Sequence, residues 1–520
     1  MDDKVIATNL SALRQKYGSG ADKIKAAVRK LIVSDKKRGL RTRLVALDDA
    51  AVMKKLKAPV VTKAADPKQN KRAIDALFRA LLPDYLLLLG ATDVIPHQDM
   101  KNPVYGGEDL DALAYGDLPY ACEAPYSQRP QDFIGPTRVV GRLPDLTGGN
   151  DPAYLLGILE TATRWKMFSQ RDYAGCLAIS TYEWRGSTEM SLQKVFGASA
   201  DLQLSPPRGP RWNKLFLARH CHFINCHGAP ADFHFYGQRG KNYPVSHDAS
   251  YIEGKIIEGT VAAVECCYGA ELYDPSLLKK THQAGMCNTY LANKAYGFFG
   301  STTIAYGPSD GNGSADLICQ FFLRHVLAGA SLGRAVLEAR QEFAQSAPEL
   351  DPMDIKTIAQ FNLIGDPSIH PVPVPAPQSV AIKSKSTKGL PPEATRQAAG
   401  RADRRRQLAA RGLWISDNQP VARRSARMKP SRPIHSTLKK MVGKARLKRP
   451  RFLSFSIRSK STPKQVREKL AKMTKMPVPT AFHIVVARKA EKRAPILQLV
   501  ALVAKEAGGK IVSIRELHSR

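Results

Sequence analysis

Two stretches decide the fold of this chain: HFINCHGAP at residues 222–230 and GTVAAVECCYGAEL at residues 259–272. Each is an apolar, β-prone run that ends at a reactive side chain next to glycine. The pattern predicts two buried strands, with His227 following the first and Cys266 and Cys267 following the second. Because open α/β sheets collect their chemistry at the carboxyl ends of strands, we expect the imidazole and one thiol to lie close together.

Outward from these stretches, strands and helices alternate along residues 1–376. Helices are predicted near 24–32, 69–82, 151–167, 313–328 and 332–346, and strands near 43–47, 85–89, 137–144, 174–181, 222–226, 260–265 and 297–304. YLLLL at 85–89 is a continuous apolar run, as expected for a strand buried on both faces. The alternation predicts a mostly parallel sheet covered by helices on both sides.

The net charge of +33 is concentrated at one end of the 520-residue chain. Residues 377–520 hold 36 Lys and Arg against 7 Asp and Glu, which leaves residues 1–376 nearly neutral at +4. A basic tail of this kind predicts an acidic partner, such as nucleic acid or another polyanion. A solvated charged linker is the alternative.

Composition separates an α/β body, residues 1–376, from a basic C-terminal region. Alternating prolines then begin a basic linker over 377–450, which is poor in aromatic residues and predicted to be disordered. Residues 451–520 form a small basic β-α-β-α-β domain, with helices expected over 463–474 and 494–507.

Targeting signals are not visible in the sequence. The first residues, MDDKVIATNL, carry no apolar core of a secretory signal, and no apolar run reaches the roughly 18 residues of a spanning helix. We therefore expect a cytoplasmic protein without a transmembrane segment. The eight cysteines lack the dense spacing of a disulfide framework and are expected to be buried free thiols.

Seven motifs in order carry a family resemblance: LLLLGATDVIP, YGDLPYA, TRVVGRLP, INCHGA, VECCYGAEL, GFFGSTTIAYG and FNLIGDPSI. Residues 1–376 resemble the gingipain-like cysteine peptidases, family C25 of the caspase–hemoglobinase clan. The resemblance implies an αβα sandwich with mostly parallel sheets in two subdomains. These are an N-terminal α/β subdomain over residues 1–170 and a caspase-like catalytic subdomain over residues 171–376, which carries a Cys–His dyad. It implies a cysteine endopeptidase acting on proteins or peptides. It also allows a calcium requirement, which no motif here supports, and no other cofactor is expected.

The resemblance also bears on the choice of nucleophile. In the clan the nucleophile commonly stands three residues before a glycine, which points to Cys266 ahead of Gly269. Successive strand residues face opposite ways, so Cys267 is an alternative and the two thiols should not both face His227. Glu265 departs from the pattern, because a carboxylate beside the thiol would raise its pKa. The expected chemistry is attack by Cys266, protonation of the leaving amine by His227, and an oxyanion hole made by the N–H groups of Gly228 and Cys266.

Two further roles follow from the resemblance. Glu108 or Asp109 is placed to orient the imidazole, as an acidic residue does in some family members. Asp117 of YGDLPYA is placed where arginine-specific relatives hold an S1 carboxylate, which implies a preference for basic P1 residues. The alternative for Asp117 is a turn cap.

The sequence also raises two alternative hypotheses, a metal site and a binding protein without catalytic activity. The segment HCHFINCH at 220–227 offers Cys and His ligands for zinc, but it lacks the second close pair that zinc sites use, so no metal site is expected. The second is a catalytically inactive caspase-like scaffold that binds nucleic acid or another polyanion through residues 377–520.

Overall fold

We analysed a computed structural model that describes residues 2–106, 108–198, 201–374, 393–458, 460, 480–489 and 496–520. Its strands are β1 (Lys4–Thr8), β2 (Thr42–Ala46), β3 (Tyr85–Leu89), β4 (Val140–Leu143), β5 (Cys176–Thr181), β6 (Leu202–Ser205), β7 (Cys221–Asn225), β8 (His234–Tyr236), β9 (Val245–Asp248), β10 (Val261–Val264), β11 (Gly297–Ser301), β12 (Tyr306–Gly307), β13 (Phe361–Gly365), β14 (Val421–Arg424), β15 (Lys448–Arg458), β16 (Ala481–Arg488), β17 (Leu499–Ala507) and β18 (Lys510–Ser519).

The helices are α1 (Leu10–Tyr17), α2 (Gly20–Lys37), α3 (Ala50–Lys55), α4 (Pro67–Leu81), α5 (Ala153–Arg164), α6 (Arg185–Phe196), α7 (Lys214–Leu217), α8 (Ala249–Ile252), α9 (Met286–Ala292), α10 (Ala315–Leu327), α11 (Leu332–Gln345), α12 (Pro352–Gln360), α13 (Glu393–Asn418) and α14 (Arg432–Lys444). Local chemistry sets their starts. Helix α4, for example, follows Asp66, whose carboxylate accepts the Gln69 N–H, and opens with a proline.

One ten-stranded sheet runs through the body in the order β2-β1-β3-β4-β13-β11-β10-β7-β5-β6. Its neighbours pair in parallel except β11 and β13, which are antiparallel and join two oppositely directed blocks. Strand β10 lies between β7 and β11, near the middle of the second block. Residues of the sheet alternate between two buried apolar layers, one on each face. The predicted α/β fold class, with a mostly parallel sheet, is confirmed.

A second sheet has the order β12-β18-β17-β16-β15-β14, so strand β12 of the body is hydrogen-bonded to a C-terminal strand. One face of this sheet packs into the core layer of the body through residues such as Phe455, Ile484 and Val503. Its other face packs on α14, where Ile434 and Leu438 meet strand residues. The C-terminal region therefore shares a core with the body.

Part of the basic charge of this region is neutralised by ion pairs with acidic residues of the body. Arg405 on α13 pairs with Asp84 at 2.7 Å, and Lys505 on β17 pairs with Glu349 at 2.6 Å. Arg515 on β18 pairs with both Asp351 and Asp354 at the start of α12. These pairs tie the C-terminal elements to the body.

Two expectations for this region are corrected. The described part of the 377–450 linker is not disordered, because it forms α13, β14 and α14. The helix expected over 494–507 is instead strand β17, whose residues 499–507 pair with β16 and β18 on both sides. The helix expected over 463–474 lies outside the described residues. The division of the body at residue 170 stays a prediction, and one sheet is continuous across it.

Candidate active site

The register of two neighbouring strands positions the predicted dyad. In the parallel pair β7 and β10, Cys221 lies opposite Val261 and Ile224 opposite Val264. Counting on by the same register brings His227 opposite Cys267. Side chains alternate between the two faces, and the face of Val261 and Ala263 is also the face of Cys267.

The two thiols consequently have different surroundings. Cys266 is fully buried in the opposite core layer, and its Sγ lies 3.9 Å from the Ile224 carbonyl oxygen. Burial, followed by the nearby Cys226 thiol, raises the pKa of Cys266 well above its usual range. The Sγ of Cys267 lies 3.3 Å from the amide nitrogen of Ala305, at the edge where β12 begins. The geometry favours Cys267, the alternative nucleophile, over Cys266.

Beside Cys267, the main chain of Arg520 lies across the ends of both strands. Its carbonyl oxygen accepts hydrogen bonds from the N–H of Gly228 at 3.3 Å and the N–H of Cys267 at 3.2 Å. Its own N–H donates to the Ala305 carbonyl oxygen at 3.0 Å. Two backbone donors that converge on one carbonyl oxygen next to a thiol have the layout of an oxyanion hole. The expected donor Gly228 takes part, and Cys267 takes the place given to Cys266.

Glycine is required at position 228 for steric reasons. A Cβ atom there would stand 1.9 Å from the Cys267 carbonyl oxygen, well inside van der Waals contact. The absence of a side chain therefore lets the two strand ends approach closely enough for their N–H groups to converge.

The imidazole of His227 is buried beside the same space. Its Nε2 lies 2.8 Å from the side-chain oxygen of Gln238 and 3.5 Å from the side-chain nitrogen of Gln498. Its ring meets the edge of Trp184 at a centroid distance of 4.3 Å. Burial lowers the pKa of His227 to about 3; the Gln238 hydrogen bond opposes that shift and the charge of Arg520 adds to it. The imidazole is therefore neutral in this state.

The thiol of Cys267 is also neutral here, because burial raises its pKa to about 12. Among the described residues, the hydrogen-bond partners of the His227 imidazole are the two glutamine amides and not this thiol. The imidazole therefore faces the Gln238 amide and not the Cys267 thiol.

The side chain of Arg520 fills a buried pocket lined by Glu265, Asp316 and Trp184, which we call the acidic pocket. The guanidinium Nη2 lies 2.8 Å from Asp316 Oδ1 and 2.8 Å from the Pro308 carbonyl oxygen. Its Nε lies 3.8 Å from Glu265 Oε2, and its Cζ stands 4.3 Å from the centre of a Trp184 ring. Carboxylate, carbonyl and aromatic face together are the groups that recognise a guanidinium.

The pocket also has the shape of an arginine side chain. A Cβ atom on Gly307 would stand 2.2 Å from the Arg520 Nη2, so a larger residue at this position would exclude the guanidinium. Ser187 Oγ lies 3.4 Å from Nη2 and donates to Asp316 Oδ1 at 2.7 Å, which fixes the carboxylate.

The charge balance of the acidic pocket is set by two neighbouring carboxyl groups. Burial, followed by the proximity of Asp316, raises the pKa of Glu265 well above its usual range, and Arg520 opposes that shift. The raised pKa of Glu265 disfavours its charged form. Asp316 is also the nearer of the two carboxyl groups to the guanidinium, at 2.8 Å against 3.8 Å for Glu265. The sequence analysis noted Glu265 only because it departs from the family motif, and it did not predict that Asp316 or Trp184 would line this pocket.

A comparison with known protein families matches part of this region. The family model described as Peptidase family C25 matches residues 243–372. Over this segment the chain is similar to peptidase family C25. The recognition from sequence motifs is thereby confirmed, and the C25 segment includes both candidate thiols, whereas His227 precedes it. The coarse assignment of the chain as a cysteine peptidase follows from this match.

Two further comparisons were made. A solved structure described as "Structure of Protease" is similar at 11% sequence identity and a TM-score of 0.47, with 99% of this chain and 96% of that chain covered. Among curated proteins, no sequence matches.

The acids expected to orient the imidazole lie elsewhere, outside the C25 segment. Asp109 is buried, with Oδ2 2.6 Å from the Lys356 ammonium and 2.9 Å from the Tyr306 hydroxyl. Glu108 is half-buried, and no described contact joins it to His227. The Gln238 side-chain oxygen, which sequence reasoning missed, contacts the His227 imidazole instead, at 2.8 Å.

Asp117 is bound to an internal cation. Arg142 donates from Nε to Oδ2 at 2.8 Å and from Nη2 to Oδ1 at 2.6 Å, and His97 Nδ1 lies 3.0 Å from Oδ1. Burial disfavours the charge, but Arg142 and His97 outweigh that cost and hold the pKa of Asp117 well below its usual range. Both of its oxygens are engaged by internal partners.

We therefore expect Asp117→Asn to lower the free energy of unfolding by about 3–5 kcal/mol, because the Arg142 guanidinium would stay buried without its charge partner. Denaturant unfolding measures the loss. Asp22→Asn changes an exposed carboxylate on α2 and should leave stability within about 0.5 kcal/mol. A stable Asp117→Asn protein that had lost turnover of arginine substrates alone would restore Asp117 to the substrate pocket.

Among the described residues, no group of three or more His, Cys, Asp or Glu side chains is arranged to hold a metal ion. No described helix has both the length and the apolar character needed to cross a bilayer.

Proposed function

We propose that the chain is a cysteine endopeptidase that cleaves after arginine, with Cys267 as the nucleophile and His227 as the proton-transfer group. The observation that carries the proposal is the position of Arg520. Its carbonyl oxygen meets the N–H groups of Gly228 and Cys267 at 3.3 and 3.2 Å, while its guanidinium fills the acidic pocket. A substrate arginine bound in this way would bring its scissile carbonyl to the thiol.

Substrate binding is proposed to use the edge of β12. Ser519 lies opposite Tyr306 and His518 opposite Gly307 in an antiparallel pair. A peptide segment added at this edge gains main-chain hydrogen bonds, and its P1 side chain enters the acidic pocket. The pocket supplies specificity and the strand edge supplies register.

The proposed reaction proceeds through a thioester. The His227 imidazole turns from Gln238 to the Cys267 thiol and takes its proton, and the thiolate sulfur bonds to the P1 carbonyl carbon. The N–H groups of Gly228 and Cys267 stabilise the tetrahedral oxyanion. The imidazolium then protonates the leaving amine as the C–N bond breaks. Water, deprotonated by the imidazole, attacks the thioester and releases the thiol.

A peptide library incubated with the full chain tests the proposal. We expect cleavage on the carboxyl side of arginine, read by mass spectrometry, and a loss of about 10³-fold or more in kcat/KM for His227→Ala. His282→Asn, which changes an exposed histidine, is the matched control and should retain full activity. Cleavage after acidic or apolar residues, or undiminished turnover by His227→Ala, would contradict the proposal.

A further inference from the structure

We infer that strand β18 is an intramolecular inhibitor: its end, with Arg520, occupies the substrate groove as a pseudosubstrate and must leave before a substrate can bind. This inference rests on the proposed function, because it identifies the groove by the same oxyanion hole and acidic pocket. It adds a regulatory role for the C-terminal sheet.

Three parts of Arg520 are bound by the body. Its N–H, its main-chain oxygen and the Nη2 of its guanidinium each have hydrogen-bond partners there, and the residue is 1% exposed. Ser519 and Leu517, which precede it, are also buried. A side chain that simply ended a surface strand would leave its charge in water, where solvation is most favourable.

The end of the strand lies in the groove, and its neighbours hold it there. On one side β18 pairs with β17 from Lys510 to His518, and on the other it pairs with β12. Arg515 forms ion pairs with Asp351 and Asp354 at the start of α12, five residues before Arg520. These contacts fix the direction in which Arg520 enters the acidic pocket.

Little space for a substrate remains around the inhibitor. The residual cavity beside His227 measures about 100 Å³ and is lined by body residues such as Trp184 and by C-terminal residues such as Gln498 and His518. The P1 pocket, the oxyanion hole and the β12 edge are all occupied at once. A substrate strand could reach none of them without displacing β18.

The occupied groove also keeps the reacting groups inactive. With Arg520 in place, Cys267 and His227 are both buried and neutral, and Gln498, in the segment that leads into β17, lies 3.5 Å from the imidazole. Withdrawal of β18 would admit water to both groups and free the imidazole to turn. Inhibition therefore acts on the chemistry as well as on binding.

Tethering makes such an inhibitor effective even if its intrinsic affinity is ordinary. A tethered ligand has an effective concentration on the order of 1 mM or more. With an affinity of about 10 µM for an arginyl ligand, a value within the usual range for substrates, the groove is about 99% occupied. Removing the arginine should then raise kcat/KM about 100-fold.

The test compares the full chain with Arg520→Ala and with Lys510→Ala, an exposed residue at the start of the same strand that serves as the matched control. We expect Arg520→Ala to cleave a dilute arginyl-coumarin peptide about 100-fold faster, and Lys510→Ala to equal the wild type. In parallel, calorimetry with Nα-acetyl-arginine amide should detect binding to Arg520→Ala and none to the wild type. A folded Arg520→Ala protein that neither binds this probe nor gains activity would overturn the inference.

The two readouts separate this inference from the proposed function. If Arg520→Ala binds the probe but hydrolyses no peptide, the intramolecular occupancy stands and the peptidase proposal fails. If wild type and variant cleave arginine substrates equally well, the peptidase proposal stands and the inhibitor fails. If Arg520→Ala unfolds below the assay temperature, Arg515→Ala is the variant to measure, because it removes only the ion pairs that hold β18. A raised kcat/KM for Arg515→Ala supports inhibition by β18. An unchanged kcat/KM rejects it.

Discussion

Replacement of Cys267 by alanine is expected to reduce turnover of an arginyl peptide by about 10⁴-fold or more, whereas replacement of Cys266 should leave it within about 10-fold of the wild type. The physical reason is the alternation of side chains along β10 and its continuation. Cys267 shares a face with the groove and donates its N–H to the Arg520 carbonyl oxygen, while Cys266 points into the opposite core layer. A thiol in that layer cannot reach a carbonyl carbon in the groove.

Kinetics on both variants, made in the full chain and again with Arg520→Ala to open the groove, measure this difference. Cys266→Ala is the matched control, since it deletes a neighbouring sulfur at a cost in stability of about 1 kcal/mol. A peptidyl arginine chloromethyl ketone should label Cys267 in the wild type and in Cys266→Ala, as located by mass spectrometry. Labelling that persists in Cys267→Ala and disappears in Cys266→Ala would restore the assignment made from the spacing to Gly269.

The thiol proposed here, Cys267, could have been chosen from the sequence with one additional piece of information, the register of β7 against β10. His227 is six residues after Cys221 and Cys267 is six residues after Val261, the pair that the structure places side by side. The same parity puts Glu265 on the face of Cys267. Glu265, whose carboxyl group was expected to raise the pKa of the neighbouring thiol, therefore lies in the acidic pocket.

Apolar patterning predicted the body well for a physical reason. The amphipathic stretch that became α4 (Pro67–Leu81) has a helical period. The run YLLLL, which became β3 (Tyr85–Leu89), has no period, but it is short and is flanked by Pro83 and Gly90, which favours a buried strand. The wrong helix at 494–507 contains LVALVAKEA, whose apolar residues suit a helix and a strand equally. Pairing with β16 and β18 makes this segment a strand. The segment's own sequence does not indicate which strands will lie beside it.

Helix α13 was missed because its composition resembles that of disordered segments. It is rich in arginine and carries little apolar surface of its own, so its position depends on contacts with the body. Gly412 packs so closely that a Cβ atom there would lie 2.1 Å from the Pro136 carbonyl oxygen, and Arg405 reaches Asp84. Some of the basic side chains that suggested a polyanion partner therefore form ion pairs within the molecule.

Arg520 shows a further limit of sequence reasoning. It lies more than 250 residues after Cys267, and no pattern between them indicates that they meet. The antiparallel pairing of β18 with β12 brings them together, and only the assembled sheet shows it. The function of the C-terminal region is therefore a property of topology, whereas the reacting residues belong to short local motifs.

Asp316→Asn is expected to lower kcat/KM for arginine substrates about 100-fold while leaving the same peptides with citrulline at P1 nearly unchanged. Asp316 Oδ1 accepts from the guanidinium at 2.8 Å in a fully buried pair, and truncating one partner of such a pair costs about 2–5 kcal/mol. Citrulline has nearly the same shape and no charge, so it isolates the electrostatic part. Glu265 lies farther from the guanidinium, at 3.8 Å, and should contribute less, so Glu265→Gln should lower the arginine rate about 10-fold or less.

The control for this measurement is Glu183→Gln. Glu183 lines the same residual cavity but is exposed to solvent, where its charge is screened, so its removal should change the arginine-to-citrulline ratio less than about threefold. The variants are best compared with Arg520→Ala in each, so that the internal arginine does not compete for the pocket. An arginine preference that survives Asp316→Asn and falls instead with Glu183→Gln would move the P1 contact from the buried pocket to the rim of the groove.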